Sequence, residues 1–301
     1  MEKLLTILAI VLSTFSTLKA QTKLFVPPLP EMNYAQMVDK SKFNGDRWSF
    51  MEAGDPAKPT IVCLHGLGGS SADWRYQLNE LSKNYHVVAW NAPGYMLSDE
   101  FKTDYPVCVD FADAFADFLN ALKLDKVHLL GNSFGSLVAQ CFAMNYPERV
   151  LKMVLVGPLV EYKVSQEVKA KMTAMRQDQI KDGGYAFTNK RVEALLAPNP
   201  SPELVAVVRK GMMGTHPRAF MSSFNFVLSE DHTLDLVAAK VKSPVLLIAG
   251  TEDKVLPIAL HAALLQKSLP NARLEILKGV GHLPHIEAYV EVNKLVKEFL
   301  K

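Results

Sequence analysis

The chain has 301 residues, 49% of them hydrophobic and 21% charged, with a formal net charge of +2. That composition excludes a disordered or fibrous chain and leaves room for one large α/β domain carrying an insertion. Lysine and arginine are spread without a dense cluster, which argues for a solvated, mildly charged surface and against nucleic acid as a partner.

In chain order, Met1-Glu2-Lys3 leads into an apolar run over residues 4–12, and a Ser/Thr-rich stretch ends at Leu18-Lys19-Ala20. A charged start, an apolar centre and a small residue before the cut are the layout of a secretory signal. Residues 1–20 are therefore expected to be a signal peptide cleaved after Ala20, and the protein to be exported, periplasmic or secreted. The alternative is a retained membrane anchor, for which the apolar run is short. Three cysteines are an odd number for an exported chain. Cys63 falls in an apolar strand, Cys141 on a helix and Cys108 at a helix start, and free thiols are expected rather than a disulfide. No Cys/His spacing suggests zinc.

Residues 21–45 are Pro-rich at Val26-Pro27-Pro28-Leu29-Pro30 and should run extended over the surface. Residues 46–53 suit an early strand, closed by a turn at Gly54-Asp55-Pro56. Thr60-Ile61-Val62-Cys63-Leu64 is a continuous apolar run, hence a buried strand. It feeds the Gly-rich loop His65-Gly66-Leu67-Gly68-Gly69-Ser70, which opens a helix near Ala72 and can aim backbone amides at an anion. No Gly-Lys-Ser/Thr follows, so this is not a Walker phosphate loop. His86-Val87-Val88-Ala89-Trp90 is the next strand, and Asn91-Ala92-Pro93-Gly94-Tyr95 its turn. Residues 107–122 place Phe111, Ala114, Phe115, Phe118 and Leu122 on one helical face.

The stretch from Lys126 to Leu137 organises the rest. An apolar run meets Gly131-Asn132-Ser133-Phe134-Gly135, and a helical pattern follows at once. Gly-x-Ser-x-Gly between strand and helix is the layout of a nucleophile elbow, a sharp turn that lifts a serine hydroxyl above a sheet. Gly135, Ala139 and Ala143 fall four apart and give the helix a small face for close packing; Pro147 should stop it near Tyr146. Another strand follows at Met153-Val154-Leu155-Val156. Alternating strands and helices with short links predict an α/β, mostly parallel sheet with helices on both faces.

At Gly157-Pro158 the pattern changes. Residues 159–240 show helical stretches at 164–182, 188–196, 202–213, 217–229 and 233–240, bounded by Gly, Pro or Asn. They are expected to form a helical cap between the two halves of the core, residues 21–158 and 241–301. The cap is rich in Met and Phe (Met172, Met175, Phe187, Met212, Met213, Phe220, Met221, Phe224, Phe226), most of which should pack inside it while some line a pocket for apolar ligands. The sheet resumes at Pro244-Val245-Leu246-Leu247-Ile248-Ala249, followed by Gly250-Thr251-Glu252-Asp253. Residues 272–277 form the last strand, followed by Gly279-Val280-Gly281-His282. The tail, residues 287–301, is an amphipathic helix.

Ser133, Asp253 and His282 thus each follow a buried strand, at the end where parallel sheets place their binding crevice. A serine hydroxyl is a poor nucleophile until a base takes its proton. An imidazole can do so near neutral pH, and a carboxylate holds its tautomer and stabilises its charged form. Glu252 and His285 are the rivals. Asp253 is preferred because it ends a Gly-x-x-Asp turn, and His282 because it directly follows strand and glycine turn, with His285 at the opening of the last helix. Oxyanion donors should be the amide of Phe134, next after the nucleophile, and that of Leu67 in the Gly-rich loop.

These residues make the chain resemble the α/β-hydrolase superfamily over roughly residues 45–300: His65-Gly66-Leu67-Gly68-Gly69, Asn91-Ala92-Pro93-Gly94, Gly131-Asn132-Ser133-Phe134-Gly135, Gly250-Thr251-Glu252-Asp253 and Gly281-His282. The resemblance implies the α/β-hydrolase fold with an inserted helical cap, and the triad order Ser, Asp, His. Asn91 and Met96 depart from the Asp and second Gly common in the loop after the third core strand. A serine at the elbow argues against the dehalogenase and epoxide-hydrolase branches, whose nucleophile is an aspartate. Gly-Asn-Ser is similar to carbon–carbon bond hydrolases of ring-cleavage products, although Leu283 stands where they commonly carry Trp. Esterase-like, cofactor-free haloperoxidase relatives are also similar. The expectation is an exported serine hydrolase acting on a small or medium apolar carboxylic ester, with no metal or organic cofactor. The alternatives are a carbon–carbon hydrolase of diketones, or a ligand-binding protein that does not turn over.

Overall fold

Apolar side chains alternating with a period of two build the centre of the molecule. Ile61 and Cys63, Val87 and Ala89, Leu130, Val154 and Val156, Leu246 and Ile248 all enter one hydrophobic core. Their neighbours Val62 and Leu64, Val88 and Trp90, Leu129, Met153 and Leu155, Val245 and Leu247 enter another on the opposite face. Strands buried on both faces in this way need helices on each side.

The computed structural model describes residues 24–301, so the signal segment expected over residues 1–20 lies outside the described residues. Eight strands form one sheet: β1 (Met32–Gln36), β2 (Arg47–Ala53), β3 (Thr60–Leu64), β4 (His86–Trp90), β5 (Val127–Ser133), β6 (Val150–Pro158), β7 (Val245–Gly250) and β8 (Ala272–Leu277). Their order is β1-β2-β4-β3-β5-β6-β7-β8. The β1–β2 and β2–β4 pairs are antiparallel, and every pair from β4 to β8 is parallel. The helices are α1 (Arg75–Leu81), α2 (Cys108–Ala121), α3 (Phe134–Asn145), α4 (Gln166–Ile180), α5 (Gly184–Arg191), α6 (Pro202–Met212), α7 (Pro217–Val227), α8 (Leu234–Lys240), α9 (Ala262–Ser268), α10 (Pro284–Glu287) and α11 (Tyr289–Leu300). Leu78 and Leu81 of α1 and Val292, Leu295 and Val296 of α11 cover one face. Phe111, Phe115 and Phe118 of α2, Leu137 and Val138 of α3, Val237 of α8 and Leu265 of α9 cover the other.

Between β6 and β7 the chain leaves the sheet. A third core, with Phe187, Val208, Met212 and Phe220, joins the inserted helices to Leu283 and Ile286 of the main body. Side-chain oxygens of Ser165 and Ser201 cap α4 and α6, with Pro202 in the first turn of the latter. α8 packs on α3 and α9 at the flank of the sheet.

Several local expectations need correction. The approach segment contains β1, an edge strand paired only with β2; its residues are mostly half-exposed and lack an apolar signature. The second inserted helix begins at Gly184, earlier than the expected 188, because Gly183 (φ +88) supplies the turn before it. α9, short and half-exposed, carries no strong pattern. Most plainly, Cys108 and Cys141 are not free thiols: they are disulfide-bonded, Cα to Cα 5.4 Å apart. The packing of α2 against α3 brings together two residues 33 apart in sequence, and only Cys63 remains free and buried. Among the described residues no helix is long and apolar enough to cross a membrane.

Candidate active site

β5 runs directly into α3, and Ser133 is the junction, with φ +51 and ψ −116. A non-glycine residue in this region is held there by its surroundings at a cost of about 1–3 kcal/mol. Two close approaches explain the flanking glycines. A Cβ on Gly131 would lie 2.6 Å from the Gly135 carbonyl oxygen, and one on Gly135 would collide with the Leu64 carbonyl of β3. The β5–β6 register jumps at the same point, from Asn132↔Val156 to Ser133↔Pro158, so the elbow is accommodated in the neighbouring strand as well. Ser136 Oγ donates to the Ser133 carbonyl at 2.6 Å and accepts from the Leu159 amide at 2.9 Å, fixing the turn from below.

Asp253 and His282 meet at the ends of β7 and β8. His282 Nδ1 lies 2.8 Å from Asp253 Oδ2, with both side chains almost wholly buried. The other carboxylate oxygen accepts from the amides of Val255 (2.9 Å) and Leu256 (2.8 Å). Burial alone would raise the Asp253 pKa. The hydrogen bond and charge of His282, with the two amides, outweigh it and hold the carboxyl below its ordinary value. An ionised acid bonded to Nδ1 leaves Nε2 as the basic nitrogen.

The rivals sit elsewhere. Glu252 is half-exposed and its carboxylate accepts only from the Thr251 hydroxyl, at 3.4 Å. His285 is buried against Trp74, ring centroids 4.4 Å apart, its ring nitrogens without a partner; burial pushes its pKa down to about 3. Its position at the start of the final helical segment agrees with expectation.

The Gly-rich loop brings Leu67 to the same cavity. Among the described residues the Leu67 amide donates to no protein acceptor, while Gly69 closes a turn back to the Gly66 carbonyl at 2.9 Å. Phe134 is the first residue of α3, so its amide has no acceptor within its own helix. His65 braces this loop. Its Nε2 accepts from the Ala92 amide (3.1 Å), so Nδ1 carries the proton and donates to the Gly66 carbonyl (2.8 Å). Burial lowers its pKa to about 4, so it stays neutral.

One cavity collects these parts. Ser133, Phe134, Leu67, Asn132 and His282 form its floor, and Phe187, Val208, Met212, Phe220 and Phe224 of the inserted helices form its roof, with Tyr162, Arg176 and Arg191 also in the wall. Its free interior volume is about 60 Å³, opening at the mouth to solvent. Asp253 stands behind His282, outside the lining. Among the described residues no group of three or more His, Cys, Asp or Glu is placed to hold a metal.

Two positioning residues lie beyond the reach of sequence reasoning. Asn132 Nδ2 donates to the Val156 carbonyl (2.9 Å) and the His282 carbonyl (3.3 Å), tying the elbow to the histidine loop. Glu287 accepts from the amides of Gly281 (3.1 Å), Leu283 (3.3 Å) and Ala197 (2.8 Å), wrapping that loop and fastening the cap to it. Only an acidic residue shortly after a histidine hints at the second, and such residues are common.

Fold and site together define a hydrolase of the α/β type. The alpha/beta hydrolase fold family model matches residues 59–289, and the chain belongs to that family. It is 27% identical over 262 residues to monoacylglycerol lipase ABHD6 of Rattus norvegicus, covering 81% of this chain and 75% of that one. It is 28% identical over 257 residues to a 2-hydroxy-6-oxononadienedioate/2-hydroxy-6-oxononatrienedioate hydrolase of Burkholderia vietnamiensis, covering 80% and 86%. Among solved structures, a thermophilic esterase of Thermogutta terrifontis superposes with a TM-score of 0.78 at 20% identity, covering 90% and 98% of the two chains, which bears on the fold alone.

Proposed function

We propose that this protein is an exported serine hydrolase that cleaves carboxylic esters through an acyl-enzyme on Ser133. The carrying observation is convergence: a serine held at φ +51 and a carboxylate-paired histidine face one cavity beneath an apolar roof. His282 takes the Ser133 proton as the hydroxyl oxygen attacks the ester carbonyl. Asp253 stabilises the imidazolium that forms. The amides of Leu67 and Phe134 receive the developing oxyanion; one such donor typically contributes about 10²–10³ in turnover. His282 then returns the proton to the departing alcohol, and water activated by the same histidine releases the acid. No step calls for a metal or organic cofactor. The Phe and Met side chains of the roof suit an apolar chain of small or medium size. The lipase relative supports ester chemistry. The Cys108–Cys141 disulfide supports export, since disulfides persist in oxidising compartments.

A second reading has its own support. The Burkholderia relative is named as a hydrolase of 2-hydroxy-6-oxo dienedioates and trienedioates, which carry no ester, and Asn132-Ser133 fits the carbon–carbon hydrolase branch, although Leu283 does not. A non-turnover binder on the same fold is the third. Intact mass with a fluorophosphonate, beside product release from nitrophenyl esters and a vinylogous diketone, separates the three. One adduct at Ser133 with ester turnover, abolished in Ser133→Ala, is expected. Diketone turnover without ester turnover favours the second reading, and an adduct with neither favours the third. No adduct overturns the proposal.

A further inference from the structure

The cavity wall holds two cations that the ester reading leaves unused. Arg176 of α4 and Arg191, the last residue of α5, both line it, and both are half-buried. Among the described residues neither pairs with a carboxylate. The groups acting on Arg176 are Arg191, which repels it, and the Tyr162 phenol; Arg191 is likewise influenced only by Tyr162 beyond its burial. Arg176 is partly accommodated: Nη1 donates to Gln179 Oε1 at 2.7 Å, and the guanidinium lies 5.4 Å from the Phe224 ring centroid. Its Nε is buried with no partner. The carboxyl in the lining, Asp73, sits at the Gly-rich loop and influences neither arginine.

Two neighbouring guanidiniums, partly stripped of water and without an acid, are unfavourable on their own. Nor does packing alone call for arginine here, since an uncharged side chain would fill the same apolar wall without the repulsion. Tyr162 lines the same cavity as both arginines and His282, its ring against His261 with centroids 5.7 Å apart.

We propose that Arg176 and Arg191 form an anion subsite for a carboxylate carried by the substrate, so that the preferred ester bears a free carboxylate at the end of its apolar chain. This deepens the ester-hydrolase reading and rests on it for the scissile bond, while narrowing the substrate from a neutral apolar ester to an anionic one. A carboxylate suits the patch better than a phosphate. Two guanidinium forks match its two oxygens, and the remaining wall is aromatic and aliphatic, with neither arginine at a helix N-terminus to satisfy further oxygens.

The test compares 4-nitrophenyl hexanoate with mono-4-nitrophenyl adipate, chains of equal length ending in methyl or carboxylate. Wild type should show a kcat/KM ratio of adipate to hexanoate about 10- to 100-fold above that of either Arg176→Met or Arg191→Met, the contribution expected of charge-assisted hydrogen bonds. The preference should fall as salt rises. A wild type that prefers the hexanoate, or a ratio unmoved in both variants, overturns the subsite. Calorimetric binding of free adipate to Ser133→Ala reads the subsite without turnover. Adipate binding that is lost on Arg176→Met in that background, with a wild type that hydrolyses neither ester, leaves the subsite standing and removes the ester reading. Ester turnover with no adipate binding does the reverse. Should the methionine variants not fold, wild-type inhibition by adipate against that by neutral hexanamide decides: inhibition no stronger by adipate overturns the proposal. Tighter binding of inorganic phosphate than of adipate overturns the carboxylate assignment.

Discussion

The floor and the roof of the cavity are built on opposite principles. On the floor nearly every polar group is answered: Asp253 by a histidine and two amides, Glu287 by three amides, Asn132 by two carbonyls, His65 by one donor and one acceptor. His65, Asn132 and Asp253 sit at or just past the ends of fully buried strands, and His282 follows the half-exposed edge strand β8, so most of this geometry is imposed by the closely packed sheet. The roof is made of helices joined by turns, its core contacts are apolar and replaceable, and its two arginines have no carboxylate partner among the described residues. A reaction needs fixed distances, whereas recognition of one substrate among many needs only a wall that can be changed without disturbing them.

The contrast is sharpest in its largest expected effect. Asp253→Asn should lower kcat for a nitrophenyl ester by about 10⁴-fold, because an amide neither fixes the tautomer nor stabilises the imidazolium. Glu252→Gln, one residue away, should stay within about twofold, its carboxylate having no part in the floor. Comparable losses in the two would mean that the floor is not organised as described. Next comes Asp73, on the floor but facing the roof. Its Oδ2 accepts from the Ser70 amide at 3.1 Å while Oδ1 has no partner, and burial pushes its pKa up to about 7. A raised acid keeps its proton in the folded protein after the unfolded chain has lost it. Stability therefore falls as pH rises between about 4 and 7, by at most about 4 kcal/mol. Asp73→Asn removes this titration, so its Tm relative to wild type should climb from pH 5 to pH 8. A gap independent of pH would show that the carboxyl is better solvated than its surroundings imply.

The same division decides how far sequence alone reaches. The Gly-x-Ser-x-Gly turn, the strands that alternate between two cores, and the loop residues Leu67, Asp253 and His282 each leave a local mark, because a strained turn or a doubly buried strand admits few residue types. The inserted helices are visible as helices, yet which of their side chains face the cavity depends on how they dock. No period in α4 singles out Arg176, since that helix is polar around most of its circumference. Asn132 and Glu287 escape for a different reason: Asn132 bonds backbone atoms up to 150 residues away, and Glu287 joins its own local turn to Ala197, 90 residues away. The Cys108–Cys141 pairing escapes likewise. Three cysteines offer three pairings, and only the packing of α2 on α3 selects this one.

That cross-link joins α2 to α3 beneath the floor, with the Cys108 amide also donating to Asp231 in the link between α7 and α8, and gives the third expected effect. It closes a loop with a sequence separation of 33, so its loss in Cys108→Ala/Cys141→Ala should lower unfolding free energy by about 3–4 kcal/mol. Chemical denaturation of that variant beside the wild type reads the difference. The Arg176 side of the roof, which shares no contact with this pair, should keep its substrate preference among whatever molecules remain folded. A preference that collapsed with the disulfide would mean that floor and roof are less separable than their contacts suggest.

The smallest effect probes the seam where the two meet. Thr215 Oγ1 donates to the Gly68 carbonyl at 2.7 Å, and Ser70 Oγ to the Gly211 carbonyl at 2.8 Å, so the Gly-rich loop is clamped to the inserted helices. Gly68 has φ +82, and a Cβ there would lie 3.1 Å from Phe187 Cε1. Gly68→Ala should cost about 1–2 kcal/mol of stability through the backbone conformation alone. Its kinetic signature shows which side yields. If Phe187 gives way, the wall changes and KM rises while kcat holds. If the loop gives way, the Leu67 amide leaves the place proposed for it beside the reacting oxygen and kcat falls with KM little changed. An aromatic ring in an apolar roof moves more easily than a loop braced by His65 and two clamps, so the rise in KM is expected. A fall in kcat would instead place the softer element on the floor.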